Sequence, residues 1–201
     1  MATSRSRRRL SPEARRGELI DAAIRLLDSG QEVTNWVQAV TSEADAAKGT
    51  FYVYFSSWDD MLAAVRERVL RGYVDRFHEL AEATGPIDWW AVLDAEFAAA
   101  LDSIAKPGGL HAAVFHTGGR HTVAPAPAPA DVDMGQDIIP AMAKALRRGM
   151  DDGALRQVDP RIAATVLFTV LHGAADAIAA GQRPEPWLES VRDLARRWLT
   201  P

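Results

Sequence analysis

Apolar positions in this chain recur three and four residues apart almost throughout, the spacing of one face of an α-helix. Nowhere do they alternate with polar ones for long enough to make a strand, although Phe51–Phe55 alone could imitate one. Ser11-Pro12-Glu13 reads as a helix start: an N-cap, a proline at the first helical position, and an acid at the positive end of the dipole. Leu19, Ile20, Ala23, Ile24 and Leu27 follow at helical spacing, and Gly30 supplies the stop. Asn35 with Gln38 opens a second helix to about Glu43, and a third covers 47–54. Ser57 with Asp60 opens a long helix through Met61, Leu62, Val65, Val69 and Tyr73 to about Ala83, ended by Gly85-Pro86. Asp88 caps the next, through Trp89, Trp90, Leu93, Phe97 and Leu101, stopped by Pro107-Gly108-Gly109. After a short helix at 110–117 comes TGGRHTVAPAPAPADVD, whose alternating Ala-Pro favours extended polyproline and reads as a surface loop. Helices resume at about 133–151, 160–181 and 185–199. The pattern predicts an all-α fold of about nine helices with no internal repeat.

Composition narrows the function. The 201 residues are ample for a core, and the absence of cysteine excludes disulfides, thiol nucleophiles and iron–sulfur clusters. A net charge of −4 excludes a protein coated in positive charge, but the charge is unevenly placed. Residues 1–25 hold seven arginines (Arg5, Arg7, Arg8, Arg9, Arg15, Arg16, Arg25) against three acids, so one end is expected to face a polyanion. No apolar segment follows Arg5–Arg9, which argues against a signal peptide. The most apolar stretch, 162–180, is Ala-rich and contains His172 and Asp176, so it reads as a bundle helix. A cytoplasmic protein with no membrane partner is expected. There is no P-loop, dinucleotide glycine pattern, Gly-x-Ser-x-Gly elbow or HExxH, and His111, His116 and His121 are spaced five apart. Neither an enzyme nor a cofactor or metal site is expected.

Three short helices within 11–55, the second and third joined by a tight turn, have the plan of a helix-turn-helix DNA reader. The third would enter the major groove, which is ~12 Å wide and admits one helix. Its leading end offers what that task needs: Gly49 for close approach, Thr50 for a hydrogen bond or a thymine methyl, and Lys48 for charge. Tyr52 and Tyr54 would hold hydroxyls at phosphate height, while Phe51 and Phe55, four apart, would face inward onto Ile20, Ile24 and Val40.

Residues 18–62 resemble the DNA-binding domain of the tetracycline-repressor (TetR) family. The landmarks are Ile20, Ala22-Ala23, Gly30, Val40, Ala44, the run Lys48-Gly49-Thr50-Phe51-Tyr52, Phe55 and Leu62. The resemblance implies a homodimeric transcriptional regulator, commonly a repressor released from palindromic DNA by a small molecule. It implies an N-terminal arm and DNA-binding domain over 1–56 and a ligand-binding and dimerisation bundle over 57–201. Carried over by position, Lys48, Gly49, Thr50, Tyr52 and Tyr54 would contact double-stranded DNA, joined by Arg7, Arg8 and Arg9 of the arm. Three positions depart from the family pattern. Asp45 stands where Gly is common, and must manage the turn in the left-handed conformation that Asp tolerates better than most. Ala47 replaces a Ser or Thr cap, and Trp58 replaces a Lys. These changes are expected to weaken DNA binding, and they keep open an alternative in which the same fold acts through a protein partner.

The C-terminal part is rich in aromatic residues, which at helical spacing most often form core. A mostly apolar cavity lined by Trp90, Phe97, Phe115, His116, Phe168 and His172 is expected, taking a small apolar or aromatic ligand with one or two polar groups. His172 and Asp176, four apart, could bond each other or mark the polar end of that cavity. If 160–199 makes a dimer bundle, its Gly and Ala residues would allow close helix approach.

Overall fold

The computed structural model describes residues 11–105, 109–115 and 134–201. Arg7, Arg8, Arg9, His116 and the Ala-Pro loop lie outside them, and of Phe115 only the backbone is described. Nine helices and no strand occur among the described residues: α1 (Pro12–Asp28), α2 (Trp36–Glu43), α3 (Lys48–Tyr54), α4 (Trp58–Glu82), α5 (Trp89–Ala105), α6 (Leu110–Phe115), α7 (Met134–Asp151), α8 (Pro160–Ala179) and α9 (Pro184–Leu199). The strand-like run Phe51–Phe55 is helical through Tyr54, with Phe55 as its C-cap, because Phe51 and Phe55 are four apart and both reach the core.

The starts are set by side chains. Ser11 accepts from the Ala14 N–H at 3.2 Å, Asn35 from Gln38 at 3.0 Å, Ser57 from Asp60 at 3.1 Å and Asp159 from Arg161 at 2.8 Å. At α4 the returning arm of the cap is displaced by one residue, since Asp60 accepts from the Ser56 N–H at 2.8 Å. Each such bond satisfies a donor that the first helical turn leaves without a partner.

Three apolar clusters organise the packing. The first gathers Leu19, Ile20, Ala23, Val40, Phe51, Phe55, Met61 and Val65 from α1–α4, with Leu110 and Ala113 of α6 against it. A larger one joins α5, α7, α8 and α9 through Trp89, Leu93, Phe97, Leu146, Leu167, Val191 and Leu199. Between them lies a small third cluster of Leu70, Val114 and Ile138, edged by Val69, Phe77, Leu110 and Phe168. Val69 and Leu110 therefore touch both the first and the third, and Phe77 touches both the second and the third.

Candidate functional site

The α2–α3 turn is fixed by backbone geometry. The Ala46 N–H donates to the Thr41 carbonyl at 2.8 Å and the Asp45 N–H to the Ser42 carbonyl at 3.2 Å, which closes the end of α2 around one left-handed residue. That residue is Asp45, with φ 46°, the one described non-glycine residue at positive φ. Below the turn, the buried Thr41 hydroxyl donates to the Val37 carbonyl at 2.8 Å, so no polar group is stranded there.

The turn sets α3 with two unlike faces. Phe51 and Phe55 point into the α1–α4 core, their rings 5.5 Å apart, and the Arg16 guanidinium lies 5.0 Å over the Phe55 ring. On the other face Lys48 and Gly49 are exposed and Thr50 is half-buried. Tyr52 is 59% exposed and Val53 74%, so α3 offers solvent an apolar methyl pair beside a phenol. Tyr54 is half-buried against the core and turns mostly away from that face. Val53 was missed in the sequence, although it stands out of phase with Phe51 and Phe55 and four residues after Gly49. A Cβ on Gly49 would meet nothing within 4 Å, so packing within the chain does not require a glycine there.

Of the three departures, each has a visible local consequence. Ala47 holds the N-cap position of α3 with extended backbone (φ −72°, ψ 147°) and makes no side-chain cap bond. Trp58, first residue of α4, stacks on Trp36, first residue of α2, with ring centroids 5.0 Å apart and planes 18° from parallel. The positions together form a clamp across the starts of two helices. Nearby arginines are partly committed, Arg25 to Glu43 at 2.8 Å and Arg15 to Glu18 at 2.7 Å.

In the C-terminal bundle, a cavity of about 120 Å³ lies between α4, α5, α7 and α8. Of the residues named from the sequence, Phe97, Phe168 and His172 lie on its wall; Trp90 does not, and Trp89 stands there instead. The difference is one of helical phase: Trp89, Leu93, Phe97 and Leu101 are four apart and buried, whereas Trp90 is half-buried at the edge of the same cluster, away from the cavity, with the Arg196 guanidinium 5.0 Å over its ring. His172 stacks parallel to Phe168 at 5.8 Å. Tyr73 and Glu96 also line the cavity and were not singled out in the sequence, because a lone acid on an amphipathic helix reads as solvent-facing. Burial raises the Tyr73 phenol above its ordinary pKa, with the Glu96 charge adding to the rise and Arg76 opposing it. Trp89 is held in place by its indole N–H, which donates to Asp152 at 3.0 Å. No metal-holding group of three or more His, Asp or Glu occurs among the described residues.

Along α8 the exposed residues Ile162, Thr165, Thr169, Gly173, Asp176 and Ala180 follow one another three or four apart and make a single open stripe. Exposed Leu194 lies on the neighbouring α9. By length and composition α8 could cross a membrane, and a third (33%) of its most apolar window is buried in the bundle.

No protein-family model matches the sequence. An uncharacterized HTH-type transcriptional regulator of Bacillus subtilis, YvdT, is 30% identical over 77 residues, so the match spans 38% of this chain and 39% of that relative. Among solved structures, a TetR transcription regulator from Haloarcula marismortui superposes with a TM-score of 0.63 at 22% identity, over 94% of this chain and all (100%) of its own. Escherichia coli NemR in its reduced form gives 0.59 at 20%, over 94% of this chain and 100% of that one. SmeT in complex with triclosan gives 0.58 at 21%, over 94% and 92%. The chain therefore has the TetR fold, and these neighbours are transcription regulators.

Proposed function

We propose that this chain is a transcriptional regulator of the TetR family, a repressor that binds near-palindromic operator DNA as a homodimer and is released by a small, largely apolar ligand. The observation that carries it is the two-faced α3: Phe51 and Phe55 bury one side while Lys48, Gly49, Tyr52 and Val53 are presented on the other by a turn with no slack. Within 1–56, Lys48 and Tyr52 supply phosphate contacts, Thr50 and Val53 touch base edges, and Gly49 lets the backbone close on the groove. Arg7, Arg8 and Arg9 add a sequence-independent attraction. The remainder, 57–201, holds the ligand cavity and the dimer face. The open α8 stripe with Leu194 supports that face: Ile162, Gly173 and Ala180 are apolar or small, the Thr165 and Thr169 hydroxyls turn back onto the helix backbone, and Asp176 is its one charge. Release runs through α4 and α6, whose Val69 and Leu110 are shared by the DNA-reader core and the cluster that borders the cavity. A cytoplasmic location accompanies this reading.

The test is selection of random duplexes by the purified protein at fixed physiological salt, followed by sequencing of the retained fraction. Enrichment of a palindrome with half-sites about one helical turn apart, ~34–36 Å, supports the regulator. Thr50→Ala should then change the preferred sequence, and Tyr52→Phe should weaken all sequences alike. A second reading, the same fold acting on a protein partner, is favoured by Asp45, Ala47 and the Trp36–Trp58 stack, which remove or oppose phosphate contacts. A folded dimer that retains no DNA would select it.

A further inference from the structure

We infer that the cavity between α4, α5, α7 and α8 takes a cationic amphipath, a compact aromatic or short-alkyl amine whose ammonium group is held by the Glu96 carboxylate in place of Arg76. The inference rests on reading this cavity as a ligand site and adds the ligand's charge.

Glu96 is an acid on the cavity wall, and its side chain is only 16% exposed. Its ion-pair partner Arg76 is 57% exposed and does not line the cavity, so the negative charge is inside and the positive one reaches it from the solvent side. Tyr73, one turn before Arg76 on α4, brings a hydroxyl to the same end. Burial first, and then the Glu96 charge, raises the Tyr73 phenol, with Arg76 opposing. Among the described residues of the wall, His172 is the one side chain able to carry a positive charge. An anion entering here would meet a carboxylate. A cation would meet a carboxylate whose present partner returns to water at little cost, because an exposed guanidinium gains little from a single surface pair. The volume fixes the other half of the molecule. About 120 Å³ is close to the cavity size that accepts a benzene ring, so one ring or its aliphatic equivalent fills it.

The experiment is calorimetric titration of the full-length protein at neutral pH and fixed salt with three probes of one shape: phenethylamine, 2-phenylethanol and phenylacetate. The amine should bind at least about tenfold more tightly than the alcohol, the least that one charge contact at a partly buried carboxylate supplies, and phenylacetate should bind most weakly. Glu96→Gln should bring the amine to the alcohol's affinity and leave the alcohol unchanged. Arg76→Gln should tighten the amine by removing its competitor, a gain that a merely damaged fold would not produce. Equal binding of amine and alcohol, or preference for phenylacetate, overturns the inference while leaving the cavity as a ligand site. Failure of all three probes to bind overturns the cavity reading and the inference together.

Discussion

Ala47 separates stability from recognition at one position. Its backbone (φ −72°, ψ 147°) is nearly that of Ser11 (φ −62°, ψ 157°), whose hydroxyl caps α1 by accepting from Ala14 at 3.2 Å. A serine at 47 therefore needs no rearrangement to cap α3. The Thr50 N–H already turns back to the Ala47 carbonyl at 2.8 Å and the site is exposed, so the gain belongs in the lower half of the capping range, ~0.5–1 kcal/mol. For a domain of this size that is a rise in Tm of roughly 1–4 °C. Ala47→Asp should stabilise at least as much, because a carboxylate also complements the positive end of the helix.

On DNA the two variants must diverge. Ser adds a neutral donor where a phosphate is expected and should tighten binding. Asp places a negative charge ~6 Å from a phosphate, which at the dielectric of water costs about 0.7 kcal/mol per half-site, or about tenfold in affinity for a symmetric pair. Thermal unfolding and a fluorescence-anisotropy titration on the selected operator read the two effects separately. If both variants raise Tm yet change DNA affinity by the same factor, the start of α3 does not face DNA. If neither raises Tm, the missing cap is not a weakness of this helix.

Further expectations follow from single contacts. A methyl on Gly149 would stand 2.7 Å from Leu155 Cδ1 and 2.9 Å from Trp89 Cδ2, so Gly149→Ala should lower Tm, overpacking of ~1–3 kcal/mol exceeding the ~1 kcal/mol helix-propensity gain. Gly72→Ala on α4, where nothing lies within 4 Å, should raise Tm by roughly 2–4 °C, and equal shifts for the two would refute the contact. Asp152 has a lowered pKa, held down first by the Trp89 N–H and then by Arg148. Its stabilising effect is therefore complete above the unfolded carboxylate value of about 3.9 and is lost as pH falls through the lower folded value. Asp152→Asn should thus unfold earlier than wild type in urea at pH 7, with the gap closing in acid. Trp58→Lys breaks the stack on Trp36, worth ~0.5–1.5 kcal/mol, and adds a phosphate contact, so it should lower Tm while steepening the log–log salt dependence by about 0.9 per contact.

The folding of the first three helices was legible in the sequence because its signals are local. Asp45 is readable as the left-handed residue from its place just beyond α2 and the tolerance of its short side chain, and φ 46° is where it sits. Phe51 and Phe55 declare the inward face of α3 by their spacing, so only Val53, hidden between two tyrosines, escaped notice. In the bundle the needed information is phase and distance. Trp89 and Trp90 are equally apolar, and only carrying the spacing of Leu93, Phe97 and Leu101 back one turn decides between them. Glu96 was illegible for another reason: its position on the cavity depends on Arg76 and Tyr73, twenty and more residues away on a different helix. The Trp36–Trp58 stack likewise joins residues that no short window contains.

That stack joins the start of α2 to the start of α4. The helix has 25 residues, ~37 Å at 1.5 Å per residue, with no proline or cap to interrupt it. Met61, Ala64 and Val65 at its beginning belong to the DNA-reader core, Leu70 to the middle cluster, and Tyr73, Phe77 and Leu80 to the cavity. The inward face of this helix is packed from the first cluster to the cavity wall, so on the function proposed above it passes a displacement from one end to the other as a body. A ligand that shifts Tyr73 and Phe77 therefore displaces Trp58 at the other end, and through the stacked rings the first residue of α2. Trp58, which stands where the family pattern has a basic residue, thereby ties the first helix of the turn to the helix that lines the cavity. On the function proposed above, weaker phosphate attraction and this mechanical connection act in the same direction, toward release of DNA by a small change at the cavity.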